Sequence, residues 1–423
     1  MDALEIKGDR RLSGEITVQG SKNSILPILA ASFLPEGESI IHNCPDLKDV
    51  ETGIKILKKL GAKCVYLPSE KVVYVNSKNV SGCEIPENLM CEMRSSVMFL
   101  GAILSRMKKA KITYPGGCEL GPRPINLHLK AFRQLGVEIE EYNGYIYCKV
   151  DKIKPAVVNL QMPSVGATEN IMLLCAVSDG ETVIQNAACE PEIEDLQNFL
   201  CSAGADIKGA GSSQIVIKGV KKLKPCEYTV IPDRIAATTY MCAAACCGGD
   251  ILLKDVCLKH ISQQVSMLKD TGLLIETEGS NLRVRANERI SALRLVKTSP
   301  YPGFPTDAQA LFMASMATAD GTTIFVENIF ESRYKHISEL TKMGADITQD
   351  GRVAVVRGCD FLQGARIQAA DLRGGAALVI AGLCAFDKTF LSGVEHIDRG
   401  YECIEKSFSA LGADIKRKKS NTF

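Results

Sequence analysis

At 423 residues, 46% hydrophobic and 23% charged, the chain has the balance of an ordinary globular protein and the length for two domains of about 200 residues each. Fifty basic residues against forty-nine acidic ones leave a net charge of +1, so no global field draws it to nucleic acid or an acidic membrane, and any cationic site must be assembled locally. The first eleven residues hold no apolar signal core, and the longest apolar runs, Val97 to Leu104 and Ala376 to Phe386, are too short to span a bilayer, so neither secretion nor a membrane anchor is expected.

In chain order, an amphipathic helix ending in glycine and followed by a strand recurs six times, at Gly61, Gly136, Gly204, Gly272, Gly344 and Gly412. These glycines are 75, 68, 68, 72 and 68 residues apart, so six copies of one unit of about seventy residues account for the whole chain. Each glycine suits a left-handed helix terminator, and the residues after it alternate as a strand does, as in Val137-Glu-Ile-Glu and Ala205-Asp-Ile-Lys.

A second helix, apolar on nearly every face, recurs in each unit after Asn23, Arg94, Gly166, Asp233, Thr306 and Asp371. Helices of that kind belong inside a domain. With short strands such as Glu15-Ile-Thr-Val, Val72-Val-Tyr-Val, Ile215-Val-Ile and Leu282-Arg-Val-Arg, the simplest packing is three buried helices wrapped by sheet, twice over.

The starts of the buried helices carry Ser21-Lys22-Asn23, Met93-Arg94, Ser164-Val165-Gly166, Asp233-Arg234, Pro305-Thr306-Asp307 and Asp371-Leu372-Arg373. Helix N-termini offer free N–H groups and the positive end of the dipole, so several converging ones make an anion site. Capping alone also accounts for Asp233, Thr306 and Asp371. It does not explain Lys22, Arg94, Arg234 and Arg373, because a cation is unfavourable at a positive helix end unless an anion joins it.

Between Tyr114 and Leu127 three glycines and three prolines exclude a helix or a central strand and leave a shaped loop carrying Cys118 and Arg123. A thiol beside a fixed cation on an open loop ionises or delivers a proton more readily than one in an apolar core. The same run also reads as a surface loop with an incidental cysteine, one of 17 in the chain. Gly116 to Gly121 has the spacing of a phosphate loop, but Pro122-Arg123 follows where Lys-Ser/Thr is required, and no dinucleotide fingerprint occurs.

The cysteines are odd in number, many lie in apolar helical runs, and no Cys-x-x-Cys pair occurs; the five histidines do not fall at ligand spacing with them. A reducing cytoplasm and no structural zinc are therefore expected.

Gly20-Ser-Lys22-Asn23, Leu47-Lys48-Asp49-Val50, Met93-Arg94, Pro115-Gly-Gly-Cys118 and Arg123-Pro124 follow one another in the first half of the chain. Pro163-Ser-Val-Gly-Ala-Thr-Glu-Asn170, Pro232-Asp-Arg234, Phe304-Pro-Thr-Asp307, Glu331-Ser-Arg333, Asp371-Leu-Arg373 and His396-Ile-Asp-Arg399-Gly-Tyr401 come next along the chain. End to end, this series resembles the UDP-N-acetylglucosamine 1-carboxyvinyltransferase family, the enolpyruvyl transferases that begin peptidoglycan precursor synthesis in cell wall biogenesis.

The resemblance implies an α/β fold, a two-domain inside-out α/β barrel with three repeats per domain. It implies one domain of residues 22–231 on the sugar-nucleotide side with the Cys118 loop, a second catalytic domain of residues 1–21 plus 232–423, and an active site in the cleft between them. The implied reaction moves the enolpyruvyl group of phosphoenolpyruvate to the 3-hydroxyl of UDP-N-acetylglucosamine and releases phosphate, with no metal and no cofactor. The implied partners are those two small molecules, acting on a cytoplasmic monomer that binds neither nucleic acid nor membrane.

Carried over residue by residue, the resemblance makes Cys118 the general acid and the target of fosfomycin, and Asp307 the base. Lys22, Asn23, Arg123, Arg333, Arg373 and Arg399 line the phosphoenolpyruvate site, with Lys22, Arg123 and Arg399 toward the phosphate and Arg333 and Arg373 near the carboxylate. Asn23, Arg94, Arg123, Pro124, Ile125, Asn126, Leu127, Met162, Pro163, Ser164, Val165, Gly166, Asp307 and Ile329 line the nucleotide-sugar site, and Lys48 is a further candidate. Asn126 and Met162 stand where relatives often carry Asp and Lys, so contacts to the nucleotide differ there while the reacting centre is intact. The sister transferase that uses shikimate 3-phosphate fits less well, because of the Pro-Gly-Gly-Cys loop and Ser-Lys-Asn in place of Ser-Lys-Ser. Retention of Cys118, Asp307 and the arginines argues against a non-catalytic sugar-nucleotide-binding paralogue.

Overall fold

The computed structural model describes residues 2–116 and 125–419. The expectations for Cys118, Arg123 and Pro124 lie outside the described residues. Contacts divide the described chain into two compact units, residues 20–116 with 125–231, and residues 2–19 with 232–419. Each has its own hydrophobic core.

The six apolar runs are six buried helices. In the first unit these are α1 (Lys22–Ala31), α2 (Phe99–Met107, entered through a 3-10 turn at Arg94–Met98) and α3 (Val165–Cys175). In the second they are α4 (Arg234–Cys247), α5 (Thr306–Met316) and α6 (Leu372–Cys384). Within each unit the three pack against one another, which is why none has a polar face. The amphipathic helices, such as Lys48–Lys59 and Leu258–Asp270, lie outside them and show a polar side to solvent. All six repeat glycines terminate these outer helices with φ between +85° and +100°, a region that an L side chain enters only at a cost of about 1 kcal/mol or more.

Three small sheets per unit share one topology. A short edge strand pairs parallel with a central strand, which pairs antiparallel with a third, and the third pairs antiparallel with the strand that follows the outer helix. Val157–Asn159, Glu181–Gln185, Gln214–Lys218 and Asp206–Lys208 show the order. In the sheet of Lys109–Thr113, Tyr145–Lys149 and Glu138–Tyr142 the edge strand shrinks to one parallel bridge, Glu84 to Lys111.

Each unit is closed by a strand far away in sequence. Glu227–Thr229 returns to pair parallel with Glu38–His42 in the first. In the second, the N-terminal strand Asp2–Lys7 sits between Lys388–Ser392 and Asp414–Lys419, in the place where the sixth repeat would put its own third strand. The start of the chain thus completes its last repeat and leaves no bare edge there.

Among the described residues no helix is long and apolar enough to cross a membrane. The sixteen described cysteines are all free thiols.

Candidate functional site

In the second unit the N-termini of α4, α5 and α6 meet. Asp233 and Asp371 cap their helices: Asp233 Oδ1 accepts from the N–H groups of Ile235 (2.8 Å) and Ala236 (3.0 Å), and Asp371 Oδ1 from those of Arg373 (3.0 Å) and Gly374 (2.9 Å). Thr306 is not a cap, contrary to the capping reading. Pro305 occupies that position, and the Thr306 hydroxyl points away to Glu327 Oε2 at 3.0 Å.

Asp307, on the first turn of α5, is held by two arginines. Arg333 Nη2 donates to its Oδ1 (2.9 Å) and to the Thr306 carbonyl (3.1 Å), and Arg373 Nε and Nη2 approach Oδ2 at 3.4 and 3.3 Å. Both arginine side chains are only 3% exposed, whereas Asp307 keeps 28% of its side chain accessible. Arg373 sits at the positive end of α6, and burial also works against its charge. Tyr401, Asp307 and Asp233 outweigh this and hold the guanidinium protonated, raising its pKa. Arg373 Nη1 reaches the Tyr401 hydroxyl at 3.3 Å, which shares a 2.7 Å bond with Thr239 on α4. Three helix starts are thereby tied through one carboxylate, one phenol and two cations.

The segment bearing Ile329 and Arg333 is positioned by Glu327, 1% exposed at the end of the strand Thr322–Val326. Its Oε1 accepts from Thr298 Oγ1 (3.0 Å) and from the N–H groups of Ile329 (2.8 Å) and Phe330 (3.1 Å), while Oε2 takes the Thr306 hydroxyl. One buried carboxylate therefore sets both the Ile329 turn and the start of α5. Below Arg333, His336 is buried against Gly374, where an added Cβ would lie 3.2 Å from the His336 Cβ. Burial pushes His336 down to about 4, with Asp371 opposing and Arg333 reinforcing. Arg399 is half-buried, two residues before Tyr401.

In the first unit, Lys22 Nζ lies 3.0 Å from Asp49 Oδ2, their side chains 11% and 3% exposed, so the cation at the start of α1 has a buried counter-charge from the neighbouring helix. Ser21 caps α1 and Ser164 caps α3. Asn23 is half-buried and Arg94 Nη1 reaches the Pro115 carbonyl at 3.4 Å.

Of the nucleotide-sugar candidates of this unit, Gly166 and Arg94 lie near His128. A Cβ added at Gly166 would lie 3.1 Å from the imidazole Cε1, so the Ser164-Val165-Gly166 turn rests on the ring. Asn170 fixes the ring: its amide nitrogen is 2.9 Å from His128 Nδ1 and 2.9 Å from the Val97 carbonyl, and its Oδ1 accepts from Gly101 N at 2.7 Å. Burial, then the nearby Arg94 charge, push His128 down to about 4. The imidazole is neutral, with Nδ1 accepting from Asn170. Asn126 and Met162 are exposed, Leu127 and Pro163 half-buried, and Ile125 is 1% exposed, so Ile125 offers backbone rather than side chain to a ligand.

Sequence reasoning assigned no role to Glu327, Thr239, Tyr401, Asp49, His128 or Asn170. A lone acid closing an apolar strand, as at Glu327, was a usable signal; the partners of the others are far away in the chain.

The profile of the EPSP synthase (3-phosphoshikimate 1-carboxyvinyltransferase) family matches residues 6–408. The chain is 53% identical over 417 residues to UDP-N-acetylglucosamine 1-carboxyvinyltransferase 2 of Caldanaerobacter subterraneus subsp. tengcongensis, covering 99% of this chain and 100% of that one. It is 46% identical to UDP-N-acetylglucosamine 1-carboxyvinyltransferase of Geotalea uraniireducens, with 99% of each covered. In structure it resembles the enolpyruvyl transferase NikO from Streptomyces tendae, TM-score 0.89 at 24% identity with 99% of both chains covered, and EPSP synthase from Acinetobacter baumannii, TM-score 0.76 at 19% identity, covering 99% of this chain and 100% of that one.

Proposed function

The chain belongs to the EPSP synthase family, and from that premise we propose that it transfers the enolpyruvyl group of phosphoenolpyruvate to the 3-hydroxyl of UDP-N-acetylglucosamine, the first committed step of peptidoglycan precursor synthesis. The acceptor follows the relatives at 46 to 53% identity that carry this name, while the EPSP synthase structure, at 19%, shares the fold alone.

The observation that carries the chemistry is Asp307 held between Arg333 and Arg373 at the start of α5. The reaction needs a proton at the methylene carbon of phosphoenolpyruvate, a base for the sugar hydroxyl, and cations for a phosphate and a carboxylate carried together. The hydroxyl oxygen adds to C2 while C3 gains a proton. Loss of that proton and of phosphate then restores the double bond.

In this reading Asp307 takes the hydroxyl proton and Cys118 serves the methylene carbon. Arg333 and Arg373 receive the carboxylate; Lys22, Arg123 and Arg399 receive the phosphate. Asn23, Arg94, residues 123–127 and 162–166, Asp307 and Ile329 receive the sugar nucleotide. Cys118, Arg123 and Pro124 enter from their sequence motif. Residues 22–231 form the sugar-nucleotide domain and the remainder the second catalytic domain. The protein works as a cytoplasmic monomer on two small-molecule substrates.

The test is phosphate release from phosphoenolpyruvate with each acceptor offered in turn. Release with UDP-N-acetylglucosamine and none with shikimate 3-phosphate is expected; the opposite preference would overturn the assignment.

A further inference from the structure

Asp307 and Arg373 lie at one end of the α4–α5–α6 bundle. The other end, roughly 20 Å away along helices of 11 to 14 residues, carries chemistry that the transferase reaction does not use. Cys246, in the last turn of α4, and Cys384, the last residue of α6, bring their sulfurs to 2.9 Å. That is inside ordinary contact distance and roughly 0.9 Å longer than a disulfide bond. The two thiols line a cavity of about 290 Å³ that opens to solvent between Arg11, Arg289, Glu288 and Asp360, with Phe361 and Phe386 on its rim.

We propose that Cys246 and Cys384 form an oxidisable dithiol site, which closes to an intramolecular disulfide by exchange with a low-molecular-weight disulfide entering this cavity. The cavity's volume lies at the lower limit for small-molecule sites, so one arm of a small disulfide enters while a folded oxidant meets only the rim. Arg11 offers a cation to a carboxylate of such a molecule, whereas Arg289 is held by Asp360 and by the Thr318, Ala319 and Cys359 carbonyls, and Asp9 and Glu288 also line the cavity.

The Cys246 thiolate attacks one sulfur of the small disulfide and expels one thiolate, leaving a mixed disulfide. Cys384 sulfur then attacks Cys246 Sγ and expels the second. The two protein thiol protons pass to the two departing thiolates, so the protein is oxidised by two electrons and the small disulfide is reduced by two.

Cys246 is the attacking group. Contact with the Cys384 sulfur lowers its pKa against burial, and the Thr318 hydroxyl at 3.6 Å adds to the effect. Its neighbours are less suited. Burial pushes the Cys247 thiol well up, and Cys359 Sγ is engaged by the carbonyls of Ala317 and Phe361, both at 3.2 Å. Closure needs only a small shift of two terminal helical turns, where backbone yields most readily.

The test uses the full-length protein incubated with oxidised glutathione, followed by peptide mapping by mass spectrometry without reduction. A Cys246–Cys384 cross-linked peptide lacking two hydrogens is expected, reversed by dithiothreitol. In Cys384→Ser the cross-link should be absent and glutathione should remain on Cys246; in Cys246→Ser neither should form on Cys384. Both serines are close in size to cysteine and lie outside the transferase site. The proposal fails if the pair stays reduced, if Cys247 or Cys359 supplies the cross-link, or if Cys246→Ser leaves Cys384 equally modified. The readout is a mass, so it stands or falls independently of the transferase activity.

Discussion

Replacing Asp307 by Asn removes one negative charge and keeps the shape, at a position where two guanidiniums only 3% exposed converge. The amide keeps one acceptor oxygen, so one arginine retains a neutral hydrogen bond while the other faces an NH₂ group, donor against donor. Breaking a fully buried ion pair costs about 3–5 kcal/mol. Asp307 is 28% exposed, and both arginines keep other partners, Arg373 at the Tyr401 hydroxyl and Arg333 at the Thr306 carbonyl, so about 2 kcal/mol is the expected loss. Turnover should fall further, by ~10² to 10⁴, because the amide cannot accept the hydroxyl proton. The chain has no tryptophan, so urea unfolding is followed by circular dichroism and tyrosine fluorescence, and turnover by phosphate release. Inorganic phosphate should stabilise the variant more than the parent, since an anion then supplies the missing counter-charge. A variant with parental stability, parental turnover and no extra response to phosphate would refute the role of Asp307 both as counter-ion and as base.

For Cys118, Cys118→Asp should keep transferase activity and lose covalent capture of fosfomycin, whereas Cys118→Ala should lose turnover; intact-protein mass spectrometry with sugar nucleotide present reads the adduct, and full activity in the alanine variant would remove the cysteine from the mechanism. Glu327→Gln puts an NH₂ among four donors, so a loss of about 1–3 kcal/mol in unfolding and a fall in kcat larger than any change in sugar-nucleotide KM are expected; an unchanged kcat would leave Glu327 as packing alone. His128, held down at about 4, stays neutral in the fold while the unfolded chain takes up a proton below its ordinary 6.5, so the stability it contributes is full above pH 6.5 and is lost as pH falls toward 4, by about 3 kcal/mol. Asp195, pushed up by burial to about 6 from 3.8, acts in the opposite sense: the fold takes up its proton first and gains stability as pH drops through that window. Urea midpoints of the parent and of His128→Gln across pH 4 to 7 should therefore diverge, the variant being less acid-sensitive; parallel curves would count against a neutral buried imidazole.

Gly61 to Gly412 made the architecture legible, because a helix terminator with positive φ is a local demand that each repeat meets in the same way. The core helices were legible for a related reason: a run with no polar face has nowhere to go but inside. The strand Asp2–Lys7 completing the sixth repeat was not, since pairing between the two ends of a chain leaves no local mark. Thr306 was read too locally. A hydroxyl at a helix start suits a cap, but a buried carboxylate from the neighbouring strand competes for it and wins.

The cations at helix starts could be read as unusual from sequence, and the anion that offsets Arg373 could not. That anion is Asp307, and in the proposed mechanism its position would couple binding to chemistry. Arg333 and Arg373 take three of the roughly four acceptor positions of the Asp307 carboxylate, so little of it is left for a hydroxyl proton. In the proposed mechanism a carboxylate arriving with phosphoenolpyruvate would compete for the same guanidiniums, and each bond it took would return a lone pair to Asp307, so the substrate itself would prepare the base. Arg373→Lys separates the two effects. It keeps the charge but replaces a rigid two-pronged donor by a single ammonium on a flexible stem, which cannot serve Asp307, Tyr401 and an incoming carboxylate in turn. The KM for phosphoenolpyruvate should rise by roughly tenfold, the equivalent of about 1.4 kcal/mol, with kcat lowered as well because release of Asp307 is no longer tied to substrate capture. A rise in KM with kcat untouched would mean that Arg373 only binds, and that the base is free before the substrate arrives.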